Sequence, residues 1–301
     1  MAYRYLTRAA IVASLTWAGS AQAAVTLYGL VRADSGRTLV SFNSETPGVF
    51  NTSNVITFQN APATTDLFSL DLNTSNNTLY TIGSIGGGDY ALFSLSYTGV
   101  ATQIGSGLGV NLGTENLGLD YDSMANVFRV VTNDDKTFSI NPLTGLASSP
   151  QKIDYAPNDP LGGRNPNVVA AGYRGQLYVL DKNGPGVGTS LLSTLSGTTL
   201  TSRAVINETL DTNASFDIAS NGEAYFDNGK PTDNLFLLNL TTGAIVDKGK
   251  IQRQLTGLTA GGPTVTTPAV PEPASWITMI LGVGVVGGAL RGRRRSWVTY
   301  A

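Results

Sequence analysis

The chain has 301 residues, with 19 Lys and Arg against 21 Asp and Glu, a net charge of −2, and neither histidine nor cysteine. Without those two residue types a Ser-His-Asp triad, a thiol nucleophile, a zinc deaminase and an ordinary zinc site each lack a required group, and no disulfide can form. A pair of carboxylates is what remains for acid–base work.

The chain opens with Arg4 and Arg8, an apolar run over residues 9–18 and the small-residue triplet Ala21-Gln22-Ala23. That order reads as a secretory signal peptide over residues 1–23, cut after Ala23 by signal peptidase. If the exported product runs over residues 24–272, its 249 residues carry 13 basic and 21 acidic groups, a net charge of −8. Such a charge supports solubility and repels phosphates, so nucleic acid is not an expected partner.

Residues 24–260 read as one repeated β domain. In the stretch 116–145, Leu117 and Leu119 alternate with smaller or polar positions, and 127–131 is a β-branched and aromatic run. Phe138 and Ile140 then share a face between two turn-rich segments, 133–135 and 141–145. The second strand of this unit recurs at Leu27-Tyr28, Leu79-Tyr80, Val127-Phe128, Leu177-Tyr178 and Ala224-Tyr225, at offsets of 52, 48, 50 and 47 residues. A third strand follows each, at 39–42, 92–95, 137–140, 191–194 and 235–238, and a first strand precedes the last four, at 67–70, 117–119, 168–171 and 216–218. The first unit lacks its own first strand, and a short strand near Leu255 to Leu258 could supply it by pairing the two ends of the chain. The expected fold is therefore all-β, a β-propeller of four-stranded blades, five of them with six as the alternative. A sandwich or a β-solenoid would also place short strands at regular intervals.

Candidate sites are few. Asp71, Asp120 and Asp217 recur near the first strand of three units and could face a common central surface as a glycosidase pair. An Asp just after a strand also accepts backbone hydrogen bonds in an Asx-turn, and on that reading no residue is catalytic. Asp120-Tyr121-Asp122 and Asn133-Asp134-Asp135 are oxygen-rich turns without the spacing of an EF-hand loop. A calcium ion held through Asp134 and Asp135 with backbone carbonyls is the metal expectation, and no other cofactor is expected. The glycines of 83–88 and the prolines and glycines of 158–166 read as turns and a surface connection, since neither fits a phosphate loop. Tyr28, Tyr80, Phe128, Tyr178 and Tyr225 occupy one equivalent position, and packing between blades is favoured over an exposed sugar-stacking ring.

The end of the chain changes character. Residues 261–269 form a Gly/Pro/Thr linker, 270–276 hold Pro271-Glu272-Pro273, 277–290 are uncharged and apolar, 291–295 hold four arginines, and 296–301 form a short tail. The apolar run, extended by 273–276, reads as a transmembrane helix in the inner membrane with the arginines on the cytoplasmic side. This order resembles the PEP-CTERM sorting signal of Gram-negative bacteria, a signature also labelled as an ice-binding protein C-terminal domain. The resemblance implies exosortase as a partner, removal of the tail, and delivery to the cell surface or extracellular matrix, commonly with exopolysaccharide genes alongside. The residues after the arginines are slightly longer than that signal usually carries.

Between Leu27 and Gly257 the chain is also similar to the DUF4394 family of exported bacterial domains, above all at 128–145 and 216–243. That family brings no settled chemistry. The resulting expectation is a noncatalytic surface or matrix domain, a scaffold for polysaccharide or envelope-protein contact. A carboxylate-dependent glycoside hydrolase or lyase is the alternative.

Overall fold

The computed structural model describes residues 24–33, 36–62, 66–112 and 117–261, and among these the chain forms strands and turns without a helix. The expected signal peptide, most of the linker and the sorting segment lie outside the described residues. The first strands are β1 (Thr26–Ala33), β2 (Gly36–Asn43) and β3 (Thr46–Val55). Then come β4 (Thr57–Gln59), β5 (Asp66–Asn73), β6 (Thr78–Gly86), β7 (Asp89–Leu95) and β8 (Val100–Ile104). The middle of the chain holds β9 (Leu117–Asp122), β10 (Val127–Thr132), β11 (Lys136–Ile140), β12 (Gln151–Lys152) and β13 (Asp154–Tyr155). They are followed by β14 (Val168–Tyr173), β15 (Leu177–Asp181), β16 (Ser190–Ser196) and β17 (Thr199–Ile206). The last are β18 (Phe216–Ile218), β19 (Ala224–Asp227), β20 (Asn234–Leu238), β21 (Ile245–Lys250) and β22 (Leu255–Ala260).

These make five sheets, antiparallel but for one short outer strand in each of two, the blades of a five-bladed β-propeller. The second to fifth blades run outward from β5, β9, β14 and β18 in chain order. The first is completed by the end of the chain, in the order β22-β1-β2-β3. Leu27 pairs with Ala260 and Leu30 with Gly257, so the closing strand anticipated near Leu255 does join the two ends. A ring closed this way cannot part at the junction of the chain ends without breaking a full set of strand hydrogen bonds, and the inner edges that remain are short and turned to the axis.

Each sheet is apolar on both faces because each face meets another blade. Five clusters of buried side chains result, one per neighbouring pair. Between the second and third blades, Ile82 and Leu92 meet Leu119, Val130 and Phe138. Between the fifth and first, Tyr225 and Leu235 meet Leu27, Val40 and Leu258. The equivalent aromatics mostly serve this packing, since Tyr28, Tyr80, Phe128 and Tyr225 are buried, and the rings of Tyr80 and Phe128 sit 4.8 Å apart across a seam. Tyr178 is only partly buried against the same kind of core.

Two blades depart from four strands. β4 pairs in parallel with β8, and β13 with β17, each adding a short fifth strand on the outer edge. The connecting segments run past outer strands whose outward N–H and C=O groups are otherwise unpaired, so two or three residues of pairing form there.

Candidate metal centre

The innermost strands β5, β9, β14, β18 and β22 line the axis side by side. Sequence register puts Asp71, Asp120, Gly172, Asp217 and Thr259 at one level of this ring. Two residues earlier along the chain lie Ser69, Gly118, Ala170, Ser215 and Gly257, which line the throat below. This lower level holds only small residues, and the reason is distance. A Cβ on Gly118 would come within 2.4 Å of Ala171 N, and one on Gly257 within 2.5 Å of the Ser69 carbonyl carbon. Where the strands approach so closely the throat is nearly filled, with a void of about 10 Å³. Just beyond it the channel widens into a mouth of about 490 Å³, lined by the three aspartates with Tyr121, Tyr173 and Arg174 among others. The opposite mouth, about 140 Å³, carries Arg32 and Arg37 instead. A larger hollow of about 730 Å³ lies off the axis against the fourth and fifth blades, away from the carboxylates.

At the upper level three carboxylates converge. Asp71, Asp120 and Asp217 are all buried, and one oxygen of each lies within 4.8 Å of the others, the only such acidic group among the described residues. β5 carries a bulge between Phe68 and Asp71, with Ser69 at φ 55°, which re-aims Asp71 inward. The carboxylates stitch the ring. Tyr121 N on the next strand donates to Asp71 Oδ2 at 2.6 Å, and Ala260 N donates to Asp217 Oδ2 at 2.6 Å. Thr259 Oγ1 donates to Asp217 Oδ2 at 2.8 Å and lies 3.4 Å from Asp71 Oδ1. Asp120 accepts from the Tyr173 amide of the following blade.

Three negative charges in so small a buried volume repel one another strongly. Burial first, and then the neighbouring Asp217, hold the Asp71 carboxyl well above the usual carboxylate range. Burial and then the charges of Asp71 and Asp217 do the same to Asp120. Asp217 is raised by burial too, though the Ala260 amide, the Thr259 hydroxyl and the Ile218 amide work against the rise. The cluster is therefore either partly protonated or shared with a cation. Its all-oxygen donor set could hold a metal, and oxygen ligands suit the hard divalent ions.

Acid–base attack on a sugar asks for two carboxyls flanking a bond in an open cleft. Here the carboxyls face each other, are at least 94% buried by residue, and already bind amides, which is the backbone-accepting role the sequence reading weighed against catalysis.

The residues expected to hold calcium are placed differently from one another. Asp134 is half exposed, with Lys136 Nζ 3.8 Å from its carboxylate. Asp135 is buried in a left-handed turn at φ 57°, and its Oδ1 has no hydrogen-bond partner. Burial pushes its carboxyl up to about 6, helped by Asp181 and opposed by an Asn165 hydrogen bond. The two do not belong to a group of three acidic ligands. Asp122 caps its own turn through the amides of Met124 and Ala125 and pairs with Arg129 at 2.9 Å. The three axial aspartates align in the repeat, and a small-x-acid pattern surrounds them as a further signal. Ser69-Leu70-Asp71, Gly118-Leu119-Asp120 and Ser215-Phe216-Asp217 repeat it, and Gly257-Leu258-Thr259 varies it.

Among known families, the model described as a domain of unknown function, DUF4394, matches residues 38–259. The PEP-CTERM protein-sorting motif matches residues 269–295. That motif implies export, membrane anchoring before processing, and processing by exosortase. No curated protein matches the chain. Among solved structures, a Bacteroides caccae protein of unknown function aligns at 11% identity with a TM-score of 0.46, covering 79% of this chain and 99% of its own. A Bacteroides thetaiotaomicron protein of unknown function aligns at 14% identity with a TM-score of 0.47, covering 75% of this chain and 58% of its own. A Xanthomonas campestris gluconolactonase aligns at 15% identity with a TM-score of 0.43, covering 78% of this chain and 79% of its own. At such scores these likenesses carry no argument.

Proposed function

We propose, for a chain that belongs to the DUF4394 family, that it is a noncatalytic surface or matrix domain. The ring is exported across the inner membrane, anchored there, and handed to exosortase through the PEP-CTERM segment. It then serves as a rigid scaffold that contacts extracellular polysaccharide or an envelope protein through the axial mouth, with calcium as its inorganic partner. The observation that carries the reading is the use made of the axial carboxylates: at the floor of the mouth their oxygens already hold the neighbouring blade's backbone. Export and the acidic charge of residues 24–272 fit an extracellular role. A calcium ion at Asp134 and Asp135 is bound in the turn, held chiefly through the buried Asp135.

Fractionation of producing cells tests the address. With exosortase present, the ring is expected in the surface or matrix fraction, retained by the cell's own exopolysaccharide. Without exosortase, it is expected in the membrane with residues 277–290 still attached. Recovery of the protein in the cytosol overturns the address. Release of reducing ends from that polysaccharide, lost in Asp120→Asn, overturns the noncatalytic half.

A further inference from the structure

Buried polar atoms without a partner are few among the described residues, and three of the eight line the axis: Asp120 Oδ2, Ser69 Oγ and Ser215 Oγ. A buried oxygen left without a donor is costly, and native proteins satisfy nearly all of them with protein, water or an ion. Asp120 Oδ2 sits among the carboxylates of Asp71 and Asp217, and the amides of Tyr121, Ala260 and Ile218 beside it are already given to those two carboxylates. The Thr259 hydroxyl has one proton, and Asp217 Oδ2 takes it at 2.8 Å. A proton shared between Asp120 and Asp217 would satisfy one pair of oxygens, whereas a cation engages all three carboxylates at once.

Resting on the surface-domain reading above and deepening it, we propose that Asp71, Asp120 and Asp217 bind one calcium ion on the propeller axis, with Thr259 Oγ1 as a fourth oxygen. The ion closes the ring and offers its remaining positions to the mouth. Charge and ligand type favour it: three carboxylates outweigh a dication, and calcium takes six to eight oxygens in irregular arrangements. The protein supplies about half of that number, and the 490 Å³ mouth admits water or the oxygens of a polysaccharide for the rest. Magnesium is disfavoured, because its shorter bonds demand a near-octahedral set that strands fixed by their own hydrogen bonds cannot rearrange to give. The ion also accounts for the ring's design. Each ligand comes from a different blade, so one ion ties the second, third and fifth blades to each other, and Thr259 adds the closing strand of the first.

The test uses the full-length chain stripped with EGTA and titrated with calcium chloride by calorimetry. Wild type is expected to take up calcium at the axis with a dissociation constant of about 1 mM or tighter. Asp120→Asn and Asp71→Asn are expected to weaken that binding about tenfold or more, while Asp135→Asn leaves it in place. A second readout needs no variant. Terbium should occupy the site and luminesce when tyrosine is excited, since Tyr121 and Tyr173 line the same mouth, and calcium should quench that signal by competition. Unchanged calcium affinity in Asp120→Asn, or wild type showing neither calcium uptake at ~10 mM nor tyrosine-sensitised terbium emission, overturns the proposal. Calcium binding without retention by polysaccharide removes the proposed function and leaves the site, and retention without calcium binding does the reverse.

Discussion

Replacing Gly118 with alanine tests the crowding that brings the axial carboxylates together. The new Cβ would lie 2.4 Å from Ala171 N, 2.7 Å from Ala170 C and 3.0 Å from Ala170 Cα. Carbon atoms at their best separation are about 3.5–4.0 Å apart, so β9 and β14 would have to part by roughly 1 Å. All three contacts are backbone, which has no rotamer to turn aside. Overpacking typically costs about 1–3 kcal/mol, and this site belongs in the upper half of that range. The unfolded-chain benefit of Gly→Ala, about 0.4–1 kcal/mol, is smaller. For a domain of this size each kcal/mol moves Tm by about 2–4 °C, so calorimetry should show a fall of roughly 3–10 °C. Gly186→Ala is the matched control, with its nearest atoms 3.7 and 3.8 Å away on the Thr189 side chain. It should stay within about 0.5 kcal/mol of wild type. A Gly118→Ala domain melting within ~1 °C of wild type refutes the close approach of the inner strands. The convergence of Asp120 with Asp71 and Asp217 would fall with it.

Phe128→Ala removes a fully buried ring that meets Tyr80 at 4.8 Å and Tyr121 at 5.3 Å, and urea unfolding should show a loss of about 3–5 kcal/mol. Asp217→Ala strips the acceptor from the buried amides of Ala260 and Ile218. At about 1–3 kcal/mol for each orphaned group, less the relief of repulsion at Asp71 and Asp120, a net loss near 2–4 kcal/mol is expected in the same assay. A gain would mean that repulsion outweighs stitching. The carboxyl of Asp233 accepts from Leu255 N at the start of the closing strand, shares a hydrogen bond with Asp227, and is pushed by burial up to about 6. Its folded value exceeds its unfolded one, so its contribution is fully present below about pH 4 and is lost as pH rises through about 6. Wild type minus Asp233→Asn stability should therefore fall by on the order of 2–3 kcal/mol across that window. A flat difference curve counts against the shared proton.

Much of this molecule is legible in the chain itself. The absence of histidine and cysteine removes whole classes of chemistry before any fold is known. The alternation of Phe138 with Ile140, and the return of Tyr80, Phe128, Tyr178 and Tyr225 about every fifty residues, follow from the two-residue period of a strand and the need of each sheet to bury both faces. That periodicity carried the strand order, the five blades and even the closing strand at Leu255. The short outer strands β4 and β13 were not legible, because Thr57–Gln59 and Asp154–Tyr155 pair only where a passing connection happens to meet a free edge. Which oxygens meet was settled by tertiary structure alone. A strand's sequence says which face Asp120 takes, but not that a bulge re-aims Asp71, nor how far the next blade stands away. Small residues at 69, 118, 170, 215 and 257 let five strands crowd the axis, and that crowding, invisible to any one segment, turns three separate aspartates into one buried cluster while Asp134 is left in solvent beside Lys136.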